Sequence, residues 1–330
     1  MSVAGFFRSI IQKNKPAPAL ASDELELIEP QGYTLLYAKN TFYRYLFEGS
    51  DDVELSIPEK LVIEVAINNL KRKEQRILAV PRLPSVIPKL LRSLRDPDSS
   101  AKDYVSIINK DPVMSAAVLK LANSVYFSPE GAHIDEIDRA VVKLGIQGLR
   151  SVLSAAVMQP IIQRESPYFS KTGQRLWTHS LNCAVTCEIV GQSRRMDKYK
   201  VYLMGLVHDI GKITLFSELC KQFKLNGISE SPGHSAFAPP MKKISAHLSY
   251  LIAKDWELPE DICEALKLQV GLNSETELTP YAHLLYQCNL ASELYAVTAK
   301  SKRANLSGVV NKFHLPKDLW DTLDKVDTQI

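Results

Sequence analysis

Residues 201 to 216 read VYLMGLVHDIGKITLF, and this stretch decides the reading of the chain. It is strongly apolar, yet it carries His208 and Asp209 side by side in its middle and Lys212 three residues later. Ionisable groups have no cheap place in so apolar a run unless something pairs with them. On a helix, His208 and Asp209 point about 100° apart, close enough to approach one ion from adjacent directions. Asp209 and Lys212 are equally well spaced for an ion pair within one helix. His179, in LWTHSL, lies on a separate predicted helix, and packing of the two helices would add a second imidazole. Two neutral ring nitrogens and a carboxylate suit zinc, manganese or iron, and water activated by such an ion attacks phosphate esters. His247 is a further polar candidate whose spacing fixes no distance.

Around this centre the chain reads as helix after helix. Ser56, with Pro58 and Glu59 behind it, has the spacing of a capping box and predicts a helix to about Lys73, with Leu61, Val65 and Leu70 inward. Further helices are predicted over 86–95, 102–109, 172–192, 199–208, 242–256, 260–269, 279–299 and 316–325. Asp111 and Pro112 mark another start, and residues 137–161 form two amphipathic segments hinged near Gly145. Residues 227–240, GISESPGHSAFAPP, read as a loop. Almost nothing alternates as a strand does, so the fold class is all-α.

Composition narrows the function. The 330 residues hold 40 Lys plus Arg against 37 Asp plus Glu, a net charge of +3 that makes no general case for nucleic acid. Arg150, in a segment with helix-turn-helix spacing, is flanked by too few polar groups to read bases. The five cysteines form no CxxC pair, and Cys183 and Cys187 read as core packing rather than zinc ligands. No P-loop or dinucleotide fingerprint occurs. No apolar run reaches the roughly 20 residues of a membrane span, and the Phe6–Phe7 patch with Ile10 and Ile11 does not make a secretory signal. A cytoplasmic protein is expected.

Six separate stretches carry a resemblance: AVPRLPSV (79–86), INKDPVMSAAVLKLANSVYFS (108–128), AVVKLGIQGLRSVL (140–153), LWTHSL (176–181), MGLVHDIGKI (204–213) and AKDWELPEDICEAL (253–266). In this order they resemble the HDOD family, the output-type branch of the HD-domain superfamily of metal-dependent phosphohydrolases. The resemblance implies an HD-like helical bundle over 77–290, with a tail and linker over 1–30, an appended helical segment over 31–76 and a C-terminal extension over 291–330. It also implies a bacterial signalling role.

Catalytic HD relatives hold metal with a His, an adjacent His-Asp pair and a distant Asp. His179, His208 and Asp209 match the first three, but the fourth position falls on Asn289, in QCNLASEL, and Gln269 and Val270 stand where an adjacent His pair would lie. His247 is retained. An amide oxygen brings no negative charge, so the resemblance implies a degenerate metal site, no cofactor, and a polar cluster of His179, His208, Asp209, Asn289 and His247 that fixes helix register. The expected function is a noncatalytic signalling module acting through a protein partner or as a homo-oligomer, with Tyr43 and Phe47 as candidate partner contacts. The alternative is a metal-dependent phosphohydrolase using Mn, Fe or Zn on His179, His208, Asp209 and Asn289, with His208, Asp209 and Lys212 in catalytic roles.

Overall fold

The computed structural model describes residues 35–47, 54–80, 84–93, 100–109, 112–124, 126–128, 133–162, 168, 171–228 and 233–327. The expected tail over 1–30, its Phe6–Phe7 patch and the Asp111 cap lie outside them. The described residues form an all-α bundle with no β-sheet. The order is α1 (Leu35–Phe47), α2 (Ile57–Lys71), α3 (Lys73–Ala79), α4 (Val86–Ser93), α5 (Ala101–Ile108), α6 (Pro112–Ala122), α7 (Ile137–Ile162) and α8 (Thr172–Ser193). There follow α9 (Lys198–Val207), α10 (Ile210–Leu225), α11 (Gly233–Asp255), α12 (Glu260–Leu268), α13 (Pro280–Val297), a 3₁₀ turn (Lys300–Leu306), α14 (Ser307–Lys312) and α15 (Leu319–Asp327). One hydrophobic core takes in residues from Ala38 to Val326.

The centre of the bundle is α8, buried on almost every side, which is the situation a helix apolar all round requires. A short turn returns the chain as α9, begun by Asp197, whose carboxylate accepts from Lys200 N at 2.9 Å. Gly205 lets α9 touch α8 backbone to backbone: a Cβ there would fall 2.7 Å from Ala184 Cα and 2.8 Å from Cys183 O. Gly211 does the same between α10 and α11, where a Cβ would lie 2.1 Å from Ser245 O, and its N–H donates to Ser249 Oγ at 2.9 Å. These two close approaches flank His208 and Asp209, which stand at the corner between α9 and α10 rather than inside one helix.

Helix α2 opens with the capping box expected of its sequence: Ser56 Oγ accepts from Glu59 N, and Glu59 Oε2 accepts from Ser56 N at 2.7 Å. Its buried face is Val62, Ile63, Ala66 and Leu70, so the expectation for Leu61 and Val65 is corrected: both are exposed. Two stripes of this helix are apolar, and spacing alone does not choose between them. The expected loop over 227–240 is corrected too, because α11 starts at Gly233 and runs through Pro239 and Pro240. Proline removes a backbone donor from a helix interior. Here burial of Phe237 against Phe47, Phe216 and Phe223, with ring centroids 5.4 to 5.6 Å apart, opposes that loss.

The same aromatic cluster removes Tyr43 and Phe47 as partner contacts, since both are buried in the intramolecular core. Arg150 is likewise inside, with Nε donating to Tyr104 OH at 3.0 Å. All five cysteines are buried and free. Helix α7 is long and apolar enough to cross a membrane, but it is broken at Gly145, whose φ is 65°, and is mostly buried in the bundle.

Candidate metal centre

Four side chains from three parts of the bundle meet at the α9–α10 corner. His179 comes from α8, His208 and Asp209 from the corner itself, and Asn289 from α13. His208 Nε2 lies 3.3 Å from His179 Nε2 and 2.9 Å from Asn289 Oδ1, and His179 Nε2 lies 3.1 Å from the same amide oxygen. Asp209 Oδ2 is 3.4 Å from each imidazole nitrogen. His179, His208 and Asp209 are all buried, and their ligand atoms fall within 4.8 Å of one another.

Proton bookkeeping shows what this arrangement asks for. His208 Nδ1 sits 2.7 Å from Gly205 O, which can only accept, so the proton is on Nδ1 and neutral His208 aims a bare lone pair from Nε2. That lone pair faces an amide oxygen, a carboxylate oxygen and a second ring nitrogen. Either a metal ion or a donated proton fits among them, and neutral His179, whose Nδ1 has no hydrogen-bond partner among the described residues, can supply the proton from Nε2. Burial alone would lower the His208 pKa, but the Asp209 charge outweighs it and carries the group up to about 9. Burial would raise Asp209, but His208 and Lys212 outweigh it and hold the carboxyl well below the usual range.

The spacing also fits the metal. Donors about 2.1 Å from a common ion stand roughly 3.0 Å apart in octahedral and 3.4 Å apart in tetrahedral coordination. The separations of the His179 and His208 nitrogens from each other and from the Asn289 and Asp209 oxygens run from 2.9 to 3.4 Å. The expectation that this chain needs no cofactor is therefore corrected. Exchanging a carboxylate for Asn289 lowers the negative charge but leaves an oxygen donor in place, and three stronger donors still converge on one point.

The surroundings are cationic. Lys212 Nζ reaches Asp209 Oδ2 at 2.7 Å and Glu293 Oε1 at 3.6 Å, with all three groups buried. Burial would lower Lys212, but Asp209 outweighs it and drives the ammonium above the usual lysine range. Helix α1 closes one side: the Phe42 ring stands 4.5 Å from His179, centroid to centroid, and the Lys212 ammonium lies over the Phe42 and Tyr43 rings at 5.2 and 5.7 Å. A cleft of ≈ 250 Å³ opens from the centre, and His247 and Gln269 line it. His247 does not join the tight group of four; burial and Arg76 hold its pKa below the ordinary value.

Reading the sequence missed Glu293 and the α1 residues. Glu293 stands four residues beyond Asn289 on the same helix face, a spacing open to recognition. Phe42 and Lys39 reach the site only through tertiary packing, for which the sequence holds no local signal.

Comparisons with known proteins bear on the fold and the family. The HDOD domain pattern matches residues 80–270, more than half of the chain. An uncharacterized protein of Treponema pallidum (strain Nichols) is 22% identical over 240 residues, covering 70% of this chain and 45% of its own length, so the chain spans about half of this curated relative. Among solved structures, an HDOD domain protein of unknown function from Geobacter sulfurreducens is 21% identical with a TM-score of 0.54, covering 82% of this chain and 94% of that one. A Shewanella amazonensis protein described as a candidate metal-dependent phosphohydrolase is 19% identical with a TM-score of 0.58, covering 83% of this chain and 99% of its own. At these identities the structural likeness speaks for the fold. With the pattern match across the His-Asp corner, the chain belongs to the HDOD domain family.

Proposed function

We propose that this chain is a metal-dependent phosphohydrolase whose ion is held by His179, His208 and Asp209, with Asn289 as a neutral fourth donor. The observation that carries the reading is the set of facing donor atoms 2.9 to 3.4 Å apart, one of them a lone pair fixed by the Gly205 carbonyl. A bound divalent ion supplies Lewis-acid polarisation of a phosphoryl oxygen and makes water a nucleophile at neutral pH.

The chain's own groups do the rest. Lys212 fixes the Asp209 carboxylate and presents a positive charge to an incoming phosphoryl group. Glu293 lines the cleft with Oε2 buried and without a hydrogen-bond partner in the protein, which makes it an acceptor for a proton released from water. Phe42 covers the His179 ring, and burial of both imidazoles keeps bulk water from them.

The test is hydrolysis of p-nitrophenyl phosphate and bis-p-nitrophenyl phosphate by the full chain with Mn²⁺, compared with His208→Ala and Asp209→Asn. Metal-dependent turnover lost by about a hundredfold or more in both variants supports the reading. Wild-type turnover no greater than that of the variants across both substrates contradicts it.

A partner-binding reading draws on a different surface. Ile57, Leu61 and Val65 repeat every four residues along α2 and are 75, 57 and 48% exposed. Leu61→Ser with Val65→Ser should lower the sedimentation coefficient or abolish self-association if that stripe is an interface. An unchanged sedimentation profile that is monomeric in both proteins contradicts self-association through this face.

A further inference from the structure

The cleft that leads to the metal centre holds more positive charge than its interior uses. Lys39, Lys212, Lys242 and Lys243 line it against two carboxylates, Asp209 and Glu293. Both carboxylates are already engaged by Lys212 and also act on Lys39 from farther off, which leaves Lys242 and Lys243 unbalanced. Among the described residues, Lys39, Lys242 and Lys243 make no ion pair, and all three residues are exposed, although burial of the Lys39 ammonium beside Lys212 lowers its pKa. Like charges gathered at one opening repel, and the cleft walls focus their field outward toward anions.

Lys242 is held between two elements. Lys242, from α11, donates to Asn40 Oδ1 of α1 at 2.8 Å, and its ammonium lies 5.5 Å from the Tyr43 ring centroid. Lys212 lies 5.7 Å from the same ring, so Tyr43 stands between the inner cation and the mouth. Lys39 is one turn before Tyr43 on α1. Ser245 and His247 add hydrogen-bonding groups beside Lys242 on α11. Part of this surface comes from α1, which lies outside the matched 80–270 pattern.

We infer that Lys39, Lys242 and Lys243 form an anion subsite, so that the compound taken by the cleft carries a second anionic group besides the phosphoester at the metal centre. The first group's placement rests on the hydrolase reading above; the lysine subsite does not. A cleft of ≈ 250 Å³ sits near the small end of ligand sites, which points to a compact phosphorylated metabolite and away from a polymer.

The test compares two non-hydrolysable probes, propane-1,3-diphosphonate and propylphosphonate, by calorimetric titration of the Mn²⁺-loaded full chain with free metal removed. Metal content is measured on the same samples. The diphosphonate should bind about tenfold or more tightly than the monophosphonate, with a margin that narrows in salt. That margin should fall to about threefold or less in Lys39→Met/Lys242→Met and persist in Lys39→Arg/Lys242→Arg. Both lysines are surface residues, so the variants test charge rather than folding. Equal binding of the two probes, or a margin untouched in the methionine variant, overturns the subsite. A lysine-dependent margin in protein that retains no metal supports the subsite while sinking the hydrolase reading, which keeps the two failures apart.

Discussion

Asp209 Oδ2 is shared by three groups at once: two imidazole nitrogens at 3.4 Å and the Lys212 ammonium at 2.7 Å. A buried carboxylate in that position governs how the centre responds to pH. Without metal, the raised His208 pKa means that its protonation favours the folded state. That contribution is fully present below the ordinary value near 6.5 and is lost as pH rises through about 9. The depressed Asp209 works in the opposite direction: its contribution is present above the ordinary value of 3.8 and is lost in acid, as pH falls toward the folded value. Metal-stripped protein should therefore melt at progressively lower temperature between pH 7 and pH 9.5, and His208→Gln should flatten that slope. An identical slope in the two proteins would refute the assignment of the cation to His208. A metal ion replaces this proton, so its affinity should rise with pH over the same window.

At the scale of elements, the corner between α9 and α10 exists because glycine flanks it on both sides. Gly211→Ala places a Cβ 2.1 Å from Ser245 O, a backbone atom that cannot swing aside. Overpacking of this kind costs about 1–3 kcal/mol or more, read as a lower urea midpoint. It should also weaken metal retention by displacing Asp209, two residues away. A variant with wild-type stability and wild-type metal content would show that the α10–α11 contact does not set the site. Much of this was open to a reader of the sequence: HDIGK announces polar groups beside small residues in an apolar run, and Ser56 with Glu59 announces a cap. What eluded it has physical causes. Leu61 and Val65 sit on a stripe as apolar as the buried one, and Pro239 and Pro240 break local rules that packing of Phe237 overrides. Asn289 drew attention as a lost charge, while Glu293, one helical turn on, supplies a buried carboxylate that local spacing alone does not rank above any other acid.

Across the whole molecule, the site is an agreement among distant parts of the chain. His179 and Asn289 are separated by 110 residues yet approach to 3.1 Å, and Phe42 from the first described helix packs on the His179 ring. The family pattern covers 80–270, so both Asn289 and α1 reach the centre from outside it. This is why the donors were legible in the sequence while the wall that shapes their cleft was not: ligands announce themselves by residue type, and walls only by packing. An ion held here links α8, the α9–α10 corner and α13, and should stabilise the bundle in proportion to its binding. The most direct measurement is elemental analysis of the full chain purified without chelator and equilibrated with Mn²⁺, Fe²⁺ or Zn²⁺, beside His208→Ala confirmed as folded by circular dichroism. The expected result is close to one ion per wild-type chain and a loss of most of it in the variant. Wild-type protein that retains no more metal than His208→Ala under those conditions would contradict the account.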